Sequence, residues 1–137
     1  MGFFNKKAKK YYKESYSQSG EDMIVDFALT ALFNIHKPTY IDIGAYHPKE
    51  YSNTAYFYEK GCRGINVEPN PIQIQEFFRH RKEDVNLNVA LADVEKTMDY
   101  YIMQDTMLST LSYEDALAYE HNKISKIVEI KKIETKK

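Results

Sequence analysis

Thr39-Tyr-Ile-Asp-Ile-Gly-Ala-Tyr-His-Pro48 is followed by Ser52-Asn-Thr54 and then by Gly61-Cys-Arg-Gly-Ile-Asn-Val-Glu-Pro-Asn-Pro71. A short apolar run ends in Asp42 and a glycine turn. A helix signal comes next, and a second apolar run ends in Glu68. The order is strand, turn, helix, strand, with an acid at the end of each strand. In parallel α/β sheets, small molecules bind at the carboxyl ends of the strands. The glycine turn lets the backbone approach a ligand, and Glu68 can accept from ribose hydroxyls. The stretch reads as half of a nucleoside-cofactor site.

Working outward toward the N-terminus, Lys37-Pro38 breaks the chain before this unit. Ahead of it, the apolar spacing predicts a helix over 21–34. Met23, Phe27 and Ala31 share one face, with Ile24, Ala28 and Leu32 beside them. Ser19 is placed to cap this helix, and Asp22 favours its positive end. Capping leaves Gln18 and Gly20 without an explanation. Residues 1–16 carry Phe3, Phe4, Lys6, Lys7, Lys9, Lys10 and Lys13, and read as a basic, solvated leader. The domain proper is expected over 17–137.

Toward the C-terminus, Ser52-Asn-Thr54 offers caps for a helix over 55–60, closed by Gly61. Pro69-Asn-Pro71 opens a third helix. Its buried side is expected to be Ile74, Phe77 and Phe78, and Arg79, His80, Arg81 and Lys82 suit its C-terminal end. Val85, Leu87, Val89 and Leu91 alternate with Asn86, Asn88 and Ala90, which predicts one strand. Further elements follow: a strand over 96–103, a polar loop containing Ser109-Thr110, a capped helix over 112–121, and a weakly alternating strand over 127–133.

Composition bounds the function. At 137 residues the chain is one domain at most, long enough for a core but short for a complete doubly wound fold. A net charge of −1 gives no sign of a nucleic-acid partner. The single cysteine, Cys62, has no disulfide partner and no metal-ligand spacing around it, so it reads as a small buried hydrophobe and no metal is expected. There is no run of membrane-spanning length and no signal-peptide core, and Lys6 stands where a myristoylation signal wants Ser or Thr. A cytoplasmic location without integral membrane association is expected. With 12 Tyr and no Trp, the aromatic content reads as composition bias, with a carbohydrate-facing surface as the alternative.

Taken together, these motifs resemble the N-terminal part of the FkbM-type S-adenosylmethionine-dependent methyltransferases. The resemblance spans residues 17–137. It rests on Ser17-Gln18-Ser19-Gly20-Glu21-Asp22, Asp42-Ile43-Gly44-Ala45 with His47-Pro48, Ser52-Asn53-Thr54, and Gly64-Ile65-Asn66-Val67-Glu68-Pro69-Asn70-Pro71. Asn88-Val89-Ala90 and Ser109-Thr110 add to it. Each motif alone is weak, whereas their order and spacing are specific. The resemblance implies a Rossmann-like class I methyltransferase fold that methylates hydroxyls of a sugar, a glycan or a natural product. It implies that Asp42, Gly44 and Ala45 line the methionine end of S-adenosyl-L-methionine. Glu68 would take the ribose diol, Asn88 and Val89 would lie near adenine, and Gln18 to Asp22 would cross the cofactor mouth. A hydroxyl acceptor must lose a proton, and His47 is the histidine beside the site: a base, or a residue that orders its turn.

Two departures accompany the resemblance. Cys62 stands where relatives often carry a bulky aromatic. The later strands of the family fold are not supplied, so only the first half of the parallel sheet, plus an N-terminal helix, is expected. The strand over 40–43 would then lack a neighbour on one side, exposing an apolar edge through which copies could self-associate. The alternative reading is therefore a truncated, non-catalytic remnant acting as a binding module. A dinucleotide oxidoreductase shares the strand-turn-helix logic, but the turn lacks the Gly-x-Gly-x-x-Gly spacing that a pyrophosphate needs.

Overall fold

The computed structural model describes residues 13–137. The chain is a mixed α/β structure built on two three-stranded sheets. The first is parallel, in the order β1-β2-β3, from β1 (Tyr40–Ile43), β2 (Gly64–Val67) and β3 (Val85–Leu87). Its crossovers are α2 (Ala55–Glu59) and α3 (Gln73–His80). The second sheet joins β4 (Ala90–Leu91), β5 (Thr97–Met103) and β6 (Ile127–Lys136) in the order β4-β6-β5. α1 (Glu21–Phe27) precedes the first sheet and widens into a π-helical turn over Ala28–Leu32. α4 (Tyr113–His121) lies between β5 and β6.

Local chemistry explains the starts of three helices. Ser112 Oγ accepts from Asp115 N and starts α4. Ser52 Oγ accepts from Ala55 N and starts α2. Asn70 Oδ1 accepts from Ile72 N ahead of α3. Two small cores result: Ala45, Ile74 and Phe77 beneath the first sheet, and Ala90, Tyr100, Ile102 and Ile133 in the second. Cys62 is a buried free thiol.

Several expectations are corrected. The alternating run over 85–91 is two strands in two sheets, because Asn88 Nδ2 donates to Glu68 O and Pro69 O and turns the chain between them. Ser19 does not cap α1; Gly20 holds that position with φ 88°. The face that α1 buries is acidic, not apolar: Asp22 and Asp26 are buried, whereas Ile24, Phe27 and Leu32 are exposed. Asp22 accepts from Ser15 Oγ, Ser17 Oγ, Tyr16 N and Met23 N, and Asp26 pairs with Lys60 at 2.5 Å and Lys13 at 3.2 Å. Phe78, expected on the buried side of α3, is exposed, and Arg81, expected to complement the C-terminal end of that helix with its charge, is among the most deeply buried side chains described. The leader expected over 1–16 lies outside the described residues as far as residue 12, including Phe3, Phe4 and Lys6 to Lys10. Lys13, Ser15 and Tyr16 are tied to Asp26, Asp22 and Glu59 of the folded unit.

Candidate functional site

The carboxyl ends of β1 and β2 are tied together by a carboxylate and a carbonyl. After β1 the chain turns at Gly44, whose φ of 69° is the left-handed conformation that glycine adopts without a Cβ penalty. Gly44 N and Ala45 N both donate to Val67 O, at 2.9 and 3.1 Å. Tyr46 N then donates to Glu68 Oε2 at 2.8 Å, and Asn70 N donates to Glu68 Oε1 at 2.7 Å. Tyr46 itself holds φ 58°, a conformation costly for a bulky residue and often found where a site is over-determined by its surroundings.

These turns and β5 enclose a cavity of about 280 Å³, near the lower end of the roughly 300–1,000 Å³ of ligand pockets. It is lined by Gln18, Asp42, Gly44, Ala45, Tyr46, Tyr51, Asn53, Glu68, Pro69, Gln73, Tyr100, Thr106, Met107 and Ser109. Glu68 is 3% exposed. Burial pushes its carboxyl above the ordinary range; the two backbone N–H groups pull the other way, and the nearby Asp42 charge adds to the rise. Both carboxylates line the one cleft. Asp42 Oδ2 accepts from Thr54 Oγ1 at 2.6 Å. Burial, with the Glu68 charge beside it, keeps Tyr100 protonated well above the usual phenol range, so its hydroxyl remains a donor.

Of the residues singled out in the sequence, Gln18, Asp42, Gly44, Ala45 and Glu68 meet in this cavity. Four do not line it. Asp22 sits in the first turn of α1, where its oxygens hold the Ser15–Ser17 segment, and it lines an adjoining cavity instead. Asn88 spends its amide on the backbone carbonyls at the end of β2, and Val89 follows it out of the sheet. His47 faces a separate cavity with Pro48, Tyr58, His80 and Arg81. Its Nδ1 accepts from Lys49 N and Glu50 N, which places the ring proton on Nε2 and makes the ring a staple of its own loop.

Tyr46, Tyr51, Gln73, Tyr100, Thr106 and Met107 were not legible as lining residues. They reach the cavity from loops, from the start of α3, from β5 and from the 3-10 turn after it, and no local pattern marks which way they face. Asn53 and Ser109 did fall inside the quoted motifs. The adjoining cavity, about 350 Å³, shares Gln18, Tyr51 and Asn53 with the first; Glu21, Asp22, Thr39 and Thr54 line it too, and Val25, Leu29, Pro38, Tyr40 and Phe57 give it apolar walls. Among the described residues, no group of three or more His, Cys, Asp or Glu is placed to hold a metal ion, and no helix is long and apolar enough to cross a membrane.

Comparison with curated proteins and comparison with solved structures each returned no match. A family model described as the methyltransferase FkbM domain matches residues 42–137, more than two thirds of the chain, beginning at Asp42 itself. The chain belongs to the FkbM methyltransferase domain family.

Proposed function

We propose that this chain is an S-adenosyl-L-methionine-binding unit of a Rossmann-like O-methyltransferase, acting on a hydroxyl of a sugar, a glycan or a natural product in the cytoplasm. The observation that carries the reading is the convergence of Asp42 and Glu68 on one cavity beside the Gly44 turn. The donor set suits a cationic nucleoside: two carboxylates for positive charge and ribose hydroxyls, a small-residue bend, and amide and hydroxyl groups from Gln18, Asn53, Gln73 and Ser109. When bound, the cofactor supplies an electrophilic methyl group, leaving a neutral thioether as the acceptor oxygen gains the methyl and sheds its proton. Asp42, Gly44 and Ala45 would hold the methionine end, and Glu68 the ribose. Glu68 also fixes the Tyr46 and Asn70 turns through its two oxygens, so the same carboxylate shapes the site and binds in it.

Titration calorimetry with S-adenosylhomocysteine tests this. Binding is expected for the wild type, with at least a tenfold loss in Glu68→Gln, since a charge-assisted hydrogen bond contributes about 1.5–3 kcal/mol. Because the Glu68 carboxyl is raised, wild-type affinity falls as pH drops through a midpoint above the ordinary glutamate value of about 4.3. That pH dependence disappears in Glu68→Gln. Absence of heat in the wild type, or preferential binding of NAD, would sink the reading.

A second reading has its own observation. Among the described residues β1 pairs on one side only, with β2, and Ile41, Ile43, Val85 and Leu87 of the parallel sheet are exposed. A non-catalytic unit that associates with copies of itself through this edge fits that pattern. Sedimentation equilibrium over a concentration range separates the two: a monomer that binds S-adenosylhomocysteine excludes the associating remnant.

A further inference from the structure

Asp42 is reached from behind by a buried cation. Arg81 is 2% exposed, Thr54 7% and Ser52 1%. The guanidinium is anchored by Nε and Nη2 donating to Pro48 O at 3.0 and 2.7 Å, and by Nη2 donating to Ser52 Oγ at 3.0 Å. Its Nη1 donates to Thr54 Oγ1 at 3.3 Å, and that hydroxyl donates to Asp42 Oδ2 at 2.6 Å. The direction of this chain is dictated by chemistry. Arginine has donors only, so Thr54 must accept from it, and the hydroxyl's one proton is left for the carboxylate. Among the described residues, Asp42 Oδ1 has no hydrogen-bond partner.

We infer that Thr54 is a positioning residue for the cofactor site. Its hydroxyl, polarised by Arg81, holds one oxygen of Asp42 and so leaves the other directed at the cavity. An unrestrained carboxylate swings broadly about its last torsion. One fixed oxygen removes that freedom before any ligand arrives, which is how a site on rigid elements is preorganised. The restraint comes from the start of α2 and the end of α3, so it ties the packing of both crossover helices to the acid at the end of β1. This role rests on the reading of the cavity as the S-adenosylmethionine site.

The test compares wild type, Thr54→Val and Thr54→Ser by calorimetry with S-adenosylhomocysteine, with urea midpoints recorded alongside. Thr54→Val is expected to bind about tenfold more weakly, in line with the loss of one hydrogen bond to a charged group, and Thr54→Ser within about twofold of wild type. In an Asp42→Asn background the Val substitution is expected to add no further loss, an outcome that a purely packing role for Thr54 would not produce. Thr54→Ala, which adds no bulk, replaces Val if that variant fails to fold. Wild type that binds nothing overturns the cavity reading and this role together. Wild type that binds, with Thr54→Val equal to it or Thr54→Ser as weak as Thr54→Val, overturns the role of Thr54 alone.

Discussion

The two faces of the parallel sheet are opposites of what hydropathy alone would assign. Register places Tyr40, Asp42, Asn66 and Asn86 on one face and Ile41, Ile43, Ile65, Val67, Val85 and Leu87 on the other. The polar face is the covered one. Tyr40 donates to Asp84 Oδ2 at 2.7 Å, Asn66 Nδ2 donates to Asp84 Oδ2 and Asn86 Oδ1 at 3.0 and 2.8 Å, and Asn86 Nδ2 donates to Arg81 O at 3.0 Å. Of the apolar face, the central Val67 is buried, but Ile41 and Ile43 are 65% and 62% exposed. The comparison teaches that hydrogen bonds and an ion pair on one face hold this sheet alongside a small apolar core of Val67, Ala45, Ile74 and Phe77. Buried polar groups keep their place largely by being satisfied, and here helix, loop and strand supply the partners, Asn66 Oδ1 alone among the described side chains being buried without one. That face carries Asp42 into the candidate site, so the stability of the parallel sheet and the geometry of the cavity share the same atoms.

The sharpest way to break the comparison is to remove its central cation. Arg81→Leu leaves Asp84 buried without its ion-pair partner and Pro48 O without its donors. A loss of about 3–5 kcal/mol is expected, read from the urea midpoint. A value under about 1 kcal/mol would mean that the polar face does not hold the sheet.

A smaller effect is expected where α1 buries its own polar face. Burial alone would raise the Asp22 carboxyl, but the hydrogen bonds from Ser15, Tyr16 N, Ser17 and Met23 N outweigh it and hold the group below the ordinary range. A depressed acid contributes stability that is present above its unfolded value and lost as pH falls through the folded one. Asp22→Asn is therefore expected to cost about 1–3 kcal/mol at neutral pH, with the gap to wild type closing as pH drops below about 4. A gap that is constant with pH would refute the charge-based account.

The smallest effect belongs to the apolar face. Ile41→Thr and Val85→Thr are expected to change the stability of the monomer by about 0.5 kcal/mol or less, as for exposed positions generally. Costs above about 2 kcal/mol, with a midpoint that depends on protein concentration, would show that a second copy covers this face in solution.

Much of this was legible locally. The strand over 40–43 follows from a short apolar run between Lys37-Pro38 and a glycine, the α4 cap from Ser112, and β5 from β-branched and aromatic residues. What was misread depended on neighbours distant in sequence. The stripe of Ile24, Phe27 and Leu32 marks α1 as amphipathic, but periodicity does not say which side finds a partner; Lys60 and Tyr56, thirty residues and more away, recruit the acidic side instead. Arg81 matched the rule for a positive helix end, yet it turns inward because Pro48 O, Ser52 and Asp84 converge on it. The run over 85–91 kept a strand's alternation through the point where Asn88 diverts it, since alternation records pleat and not sheet membership.

By itself the sequence determined the order of strands and helices as far as β3, the two acids at strand ends and the family motif around Asp42, because each is a short-range pattern of side-chain size, turn chemistry and charge. Tertiary structure alone decided that Asp42 and Glu68 share a cavity with Tyr100 and Ser109, that Asp22, Asn88 and His47 serve the scaffold around it, and that Arg81 stands behind Thr54. The physical reason is range. Backbone preference acts over a few residues, whereas a cavity and a buried charge are defined by which distant groups arrive to line the one and neutralise the other.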